Sequence, residues 1–150
     1  SEENIQGCIS QKLGAMRYRA AAKATVAQRH VPTGSAVELI RTPMVVFDRE
    51  DPLQHLMLER AAGAKARPAG QIHHVPDSVQ FVAAIEAGMG WGMVPEPQLQ
   101  KAKGLQVLNE QWFIDVPLYF QRWAVDSPIL RRIGGILVTV ARQHDLHLLA

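Results

Sequence analysis

Three carboxylic acids, Asp48, Glu50 and Asp51, lie within four positions directly after the apolar run Pro43–Phe47. That run is short and β-branched, which is typical of a buried strand. Ligands of open α/β sheets bind just outside the carboxyl ends of strands, where Asp48 would bind an ammonium or guanidinium group. Aspartate is also common in turns, so a plain Asp-rich turn remains the alternative.

A second candidate site is the start of a helix at Asp77 or Ser78. Either residue is a good N-cap, and the first N–H groups of a helix and its positive dipole end attract a carboxylate. A ligand carboxylate would bind here if this end faces a cleft, with Ser78 as its partner, because a charged Asp77 would repel it. The alternative is that both residues only cap their own helix.

The glycines at 88, 90 and 92 superficially resemble a phosphate-binding loop. Their order along the chain excludes that function. A dinucleotide-binding motif follows a strand and opens a helix, whereas these glycines close a helix and open a strand.

The other reactive side chains form no recognisable catalytic or metal site. Cys8 is the single cysteine, so it can form no internal disulfide, and no base stands near it in the sequence. Neighbouring residues on a strand point to opposite faces, which separates His73 from His74. His144 and His147 have helical spacing but lack a clear third ligand. With no G-x-S-x-G motif either, we predict no enzyme activity, metal or cofactor.

The elements around these residues alternate between strands and helices, which predicts an α/β domain with a largely parallel sheet. Strands are predicted at 13–22, 43–47, 71–75, 91–94, 105–108 and 116–125. Helices are predicted at 25–30, 35–41, 52–61, 78–88, 97–103 and from 128 onward, with Ser35, Asp51 and Ser127 as caps. Three of these helices carry apolar sides: one of Leu53, Leu56, Met57 and Ala61, one of Phe81, Ala84, Ile85 and Gly88 that should pack on the sheet, and one of Ile129, Ile133, Ile136, Leu137 and Val140.

Size and charge agree with a single globular domain. The chain has 150 residues and a formal net charge of +2, which is too small to indicate nucleic-acid or membrane binding by itself. No run of about 18 apolar residues appears, so the sequence predicts no membrane span.

Three segments resemble the effector domain of LysR-type transcriptional regulators: QGCISQKLGAMRYRAAAK (6–23), MVVFDREDPLQHL (44–56) and VPDSVQFVAAIEAGMGWGMVPEPQL (75–99). They are similar to the branch that responds to lysine and arginine, which includes activators of basic-amino-acid exporters and proteins labelled inhibitors of chromosome initiation.

The resemblance implies a two-lobed fold like that of type 2 periplasmic binding proteins, with the effector between the lobes. Residues 1–10 would be the hinge strand, 11–110 the complete lobe two, and 111–150 the return strand and C-terminal helix of lobe one. The DNA-binding winged helix-turn-helix and the first half of lobe one would be absent from this chain.

By position, the resemblance makes Ser78 an effector contact flanked by Asp77 and Val79, and it places Ser1 near a hinge contact. Asp48 is added to these candidate contacts from its charge and position, because a basic amino-acid effector needs an acidic partner in the cleft. The implied protein is a cytoplasmic, non-enzymatic regulator that binds lysine or arginine, binds promoter DNA through the absent domain, forms a dimer or tetramer, and has no membrane partner. The alternatives are a transport-type solute-binding protein or an enzyme on the same scaffold.

Overall fold

The computed structural model describes residues 6–143, which fall into two compact units. One unit takes the two ends of the chain, up to Arg17 and from Asp115 onward. The other runs from Tyr18 to Ile114 and holds most of the secondary structure. The expected boundaries of lobe two, 11–110, differ from those of this second unit by a few residues at each end.

The chain order is β1 (Cys8–Lys23), α1 (Ala24–His30), α2 (Ala36–Arg41), β2 (Met44–Val46), α3 (Leu53–Ala62), β3 (Ile72–His74), α4 (Ser78–Glu86), β4 (Trp91–Pro95), α5 (Glu96–Leu99), β5 (Leu105–Val107), β6 (Phe113–Trp123) and α6 (Pro128–Gln143). The alternation of strands and helices confirms the predicted α/β class.

The sheet is mixed, which corrects the prediction of a largely parallel one. Its order is β3-β2-β4-β1-β5, with β6 paired to β1. The strand β2 runs parallel to β3 and to β4, but β1 is antiparallel to both β4 and β5. The alternation of helices and strands between residues 24 and 86 favours parallel strands. The direction of β1 could not be predicted from a local pattern, because long stretches of chain separate β1 from the strands it pairs with.

Alternate residues of the strands in the second unit belong to two different core clusters. Met44, Val46 and Met93 pack in one cluster, whereas Val45 and Val94 pack in the other. Successive strand residues point to opposite faces, so the sheet is covered on both sides. The first cluster takes residues of α1, α2 and α3, and the second takes residues of α4.

Caps hold the helix starts as their sequences predict. The hydroxyl of Ser35 accepts from the Glu38 N–H, and the Glu38 carboxylate accepts from the Ser35 N–H, which completes a capping box. The hydroxyl of Ser127 accepts from the Leu130 N–H. Gly88, at a φ of 88°, follows the last turn of α4, as expected for a residue that ends a helix.

Two helices differ from their predicted forms. In α3 the buried face holds Gln54, Met57 and Leu58, while Leu56 from the predicted stripe is 45% exposed. Burial of Gln54 is possible because its amide donates to the Val45 carbonyl at 3.1 Å. The helix α5 is shorter than the predicted span 97–103, and a turn follows it.

In the first unit, α6 is a long amphipathic helix whose apolar stripe is largely exposed. Gly134 and Ala141 are its buried residues, and Gly134 lies against the ring of Phe120 on β6. The exposed members of the predicted stripe are Ile129, Ile133, Ile136 and Val140. The helical periodicity is therefore confirmed, but its apolar face is not covered by the described residues.

Candidate ligand-binding site

A cavity of about 250 Å³ opens in the second unit where β2 and β4 end and α4 begins. Its apolar lining is Phe47, Leu53, Phe81, Met93 and Pro95, and its polar lining is Tyr18, Asp51, Ser78 and Gln98. This is the position at which open α/β sheets bind ligands, because strand ends and helix starts bring polar groups together there.

Two aromatic rings form much of the apolar wall. Phe47 follows β2 and Phe81 lies in the second turn of α4, and their ring centroids are 6.5 Å apart with the planes tilted by 52°. The predicted inward face of α4 contained Phe81, but as a core residue alone. Its contribution to a pocket depends on where the strand end meets the helix, which the sequence pattern does not show.

Asp51 is the acid that lines the cavity. Its carboxylate also accepts from the Leu53 N–H at 3.1 Å, so it contacts the start of α3, but the N-cap of that helix is Pro52 and not Asp51 as the sequence predicts. Burial, and after it the negative charge of Asp51, raises the pKa of the Tyr18 phenol above its ordinary value. Tyr18 and Asp51 therefore face the same small volume and interact electrostatically.

Asp48 has a different local role. Its carboxylate accepts from the N–H groups of Glu50 and Asp51 at 2.8 and 2.9 Å, so it closes the turn between β2 and α3. It does not line the cavity, although it is only three residues from Asp51. A ligand contact by Asp48 stays a prediction, and the contacts present match the Asp-rich turn named as its alternative.

The side chain of Asp77 caps the start of α4. The Asp77 carboxylate accepts from the Val79 and Gln80 N–H groups at 2.9 and 2.8 Å. Ser78 is exposed and lines the cavity, while Val79 is 72% exposed and lines a neighbouring groove along α4 and α5. Ser78 thus borders the cavity, and the Asp77 carboxylate occupies the N–H donors at the start of α4.

The acid that follows β4, Glu96, forms a salt bridge. Glu96, directly after β4, accepts from Arg19 at 2.6 Å, and Arg19 also binds the carboxylate of Glu110 at 3.1 Å. Glu96 is not part of the cavity lining. Asp51 is consequently the charged residue of that lining.

Cys8, His73 and His74 are not among the residues that line this cavity. Ser1, His144 and His147 lie outside the described residues. Between residues 6 and 143 no group of three His, Cys, Asp or Glu side chains is arranged to hold a metal ion. Within the same part of the chain, no helix combines the length and apolarity needed to cross a bilayer.

Comparison with known proteins identifies the family. The family model for the LysR substrate binding domain matches residues 2–125 of this chain. A relative, the HTH-type transcriptional regulator ArgP of Pseudomonas fluorescens, is 40% identical over 95% of this chain and 48% of its own length. The chain therefore spans about half the length of the curated relatives it matches.

Solved structures agree with the family match. The crystal structure of ArgP from Mycobacterium tuberculosis superposes with a TM-score of 0.88 at 34% identity, over 99% of this chain and 51% of that one. Full-length LysG from Corynebacterium glutamicum with bound effector Arg superposes with a TM-score of 0.75 at 29% identity, over 95% of this chain and 48% of that one. This chain belongs to the LysR family of transcriptional regulators, through its substrate-binding domain.

Proposed function

We propose that this chain senses a basic amino acid, lysine or arginine, for a LysR-type DNA-binding transcriptional regulator of amino-acid export or metabolism genes. The observation that carries the proposal is the cavity between β2, β4 and α4, which combines an apolar lining with the single carboxylate of Asp51. A carboxylate in such surroundings suits an ammonium or guanidinium group. The arginine effector bound in the related LysG structure supports the same ligand class.

The protein reports its ligand and transforms nothing. A ligand shifts a conformational equilibrium only through different affinities for two arrangements of the protein. We propose that the effector favours one arrangement of the full-length regulator, and so changes how its DNA-binding domains meet the promoter. The regulator acts in the cytoplasm as a homo-oligomer, a dimer or tetramer, without a membrane partner.

The contact residues are part of the proposal. Ser78 lines the cavity and is the proposed polar contact at the start of α4. Asp77 caps that helix, and Val79 is proposed to flank the ligand from its exposed position beside Ser78. Asp48 and Ser1 stay sequence-based candidates.

Calorimetry on the full-length protein tests this function. We expect saturable binding of arginine or lysine and none of glutamate, because the cavity lining carries a negative charge. Footprinting on the protein's own promoter region should show a changed pattern when the amino acid is added. Binding of neither basic amino acid would contradict the proposal.

The transport-type alternative predicts a different result in the same preparation. A solute-binding protein would bind its ligand but protect no promoter DNA. The relatives described above are transcriptional regulators, which does not favour this alternative. Ligand binding without any sequence-specific footprint would support it.

A further inference from the structure

We propose that the cavity binds the charged side-chain end of the effector, with its guanidinium or ammonium group on Asp51, while the α-amino and α-carboxylate groups stay outside. This inference rests on the proposed function and assigns the direction in which the ligand enters. It reverses the direction predicted from the sequence, in which the ligand carboxylate lies at the start of α4.

The charge of the lining is the first argument. Among the lining residues between positions 6 and 143, Asp51 is the single charged side chain, and none is Lys, Arg or His. An α-carboxylate placed inside would face the carboxylate of Asp51 with no cation to offset the repulsion. Lys101, three residues after the lining residue Gln98, lines the neighbouring groove instead.

The donors at the start of α4 are the second argument. The N–H groups of Val79 and Gln80 already donate to Asp77, at 2.9 and 2.8 Å. A ligand carboxylate would have to displace an intramolecular carboxylate from its own helix, at the cost of a good N-cap. The α4 start therefore offers a ligand the Ser78 hydroxyl and little positive potential.

The shape and chemistry of the walls are the third argument. Apolar side chains such as Leu53 and Met93 suit the methylene stem of a basic amino acid. The rings of Phe47 and Phe81 offer faces on which a guanidinium can stack, and its planar fork matches a carboxylate. The cavity of about 250 Å³ has room for the stem and terminal group of a basic amino acid.

A cycle of two ligands and two proteins tests the direction of entry. The ligands are arginine and citrulline, which share the α-amino acid group and the stem but differ in the charge of the terminal group. The proteins are the full-length wild type and Asp51→Asn, in which asparagine keeps an oxygen acceptor for the Leu53 N–H and removes the charge. Dissociation constants are measured by calorimetry. For a weakly binding ligand, the measurement is a competition in which that ligand, at high concentration, displaces arginine.

We expect the wild type to prefer arginine over citrulline by about 10- to 100-fold, the range for a hydrogen-bonded charge. In Asp51→Asn the preference should fall to about twofold or less, with arginine reduced to the affinity of citrulline. Glu59→Gln is the matched control, because it neutralises another acid on α3 that lies outside the lining and contacts the exposed Arg67 at 3.3 Å. It should keep the wild-type preference, and Asp48→Asn tests the rival acid.

Two results would overturn the inference and leave the proposed function standing. If Asp51→Asn binds arginine more weakly but keeps the full preference over citrulline, Asp51 contacts another part of the ligand. If Asp48→Asn abolishes the preference instead, the cation binds there. If the wild type binds neither arginine nor lysine, the proposed function itself fails. A wild type that binds arginine and citrulline equally would also reject the inference, and this comparison needs no variant to fold.

Discussion

The guanidinium of Arg17 donates two hydrogen bonds to the carboxylate of Asp115, from Nε to Oδ1 at 2.7 Å and from Nη2 to Oδ2 at 2.8 Å. The two residues are 98 positions apart and lie on the neighbouring strands β1 and β6. Their side chains are 21% and 16% exposed, so the pair is partly shielded from water. Two parallel hydrogen bonds in such surroundings contribute more to stability than an ordinary surface ion pair does.

We predict that Asp115→Ala lowers the free energy of unfolding by about 2 kcal/mol, because it leaves the Arg17 guanidinium half-buried without its carboxylate. Arg17→Lys should lose about half as much, since lysine keeps the charge but not the fork. Urea unfolding of the single and double variants measures the coupling between the two residues.

The matched comparison is the exposed pair of Arg67 and Glu59, which has a single contact at 3.3 Å. Its loss should cost no more than about 0.5 kcal/mol. Equal effects for the two pairs would show that the paired geometry of Arg17 and Asp115 adds no stability.

The cap of α4 gives a second prediction. Asp77→Ala should destabilise the protein by about 1 kcal/mol, because the N–H groups of Val79 and Gln80 lose their acceptor. Asp77→Asn should retain most of the stability, since asparagine caps helices as well as aspartate does. Thermal unfolding followed by far-ultraviolet circular dichroism measures both, and an alanine variant as stable as the asparagine variant would be contrary evidence.

Gly92 lies on β4 under α4, where a side chain has no room. A Cβ there would come within 2.7 Å of Ile85 Cδ1 and 2.9 Å of Phe81 Cζ. Gly92→Ala should therefore destabilise by roughly 1–3 kcal/mol through overpacking. It should also weaken ligand binding, because Phe81 forms part of the cavity wall.

Gly135 is the matched control, since a Cβ added there meets nothing within 4 Å. It lies inside α6, so Gly135→Ala should stabilise by up to about 1 kcal/mol through helix propensity. Urea midpoints of the two alanine variants should therefore move in opposite directions. Stabilisation by both would mean that the space above Gly92 opens easily.

The capping box at α2 makes stability depend on pH. Desolvation would raise the pKa of the Glu38 carboxyl, but hydrogen bonds from Ser35 and Thr33 outweigh it and lower the pKa below the ordinary value of 4.5. A carboxyl with a lowered pKa in the folded state stabilises it above the unfolded-state pKa, and this contribution is lost as pH falls through the folded-state pKa.

Glu38→Gln tests that dependence, because glutamine can also complete a capping box but does not titrate in this range. The stability difference between wild type and variant should be largest at neutral pH and should shrink as the pH falls below 4.5. Urea unfolding across this range is the measurement. A difference that stays constant with pH would contradict the lowered pKa of Glu38.

Local features of this fold could be predicted from the sequence. Ser35, Asp77 and Ser127 cap the helices that follow them, because a cap depends on residues two or three positions away. The buried strands around Val45 and Val94 were equally visible as short apolar runs.

Features that depend on distant contacts could not be predicted in this way. Leu56 of the predicted stripe is exposed, whereas Gln54 is buried and its Nε2 donates to the Val45 carbonyl on another element. The antiparallel direction of β1 depends on its partners β4 and β5, about 70 or more residues along the chain.

The candidate site shows the same division. Helix capping by Asp77 and the turn at Asp48 follow from local sequence, but which of two nearby acids faces the cavity does not. Asp51 lines the cavity because α3 begins against the wall formed by Phe81 and Met93. That arrangement joins three separate segments of the chain.

The double role of Asp51, as acceptor for the Leu53 N–H and as lining of the cavity, bears on protein engineering. Asparagine, serine and threonine can all begin a helix, so the charge at this position can be changed while the local backbone keeps its acceptor. A biosensor library aimed at uncharged metabolites should therefore randomise position 51 first. Its members would differ in the molecule they recognise far more than in their yield of folded protein.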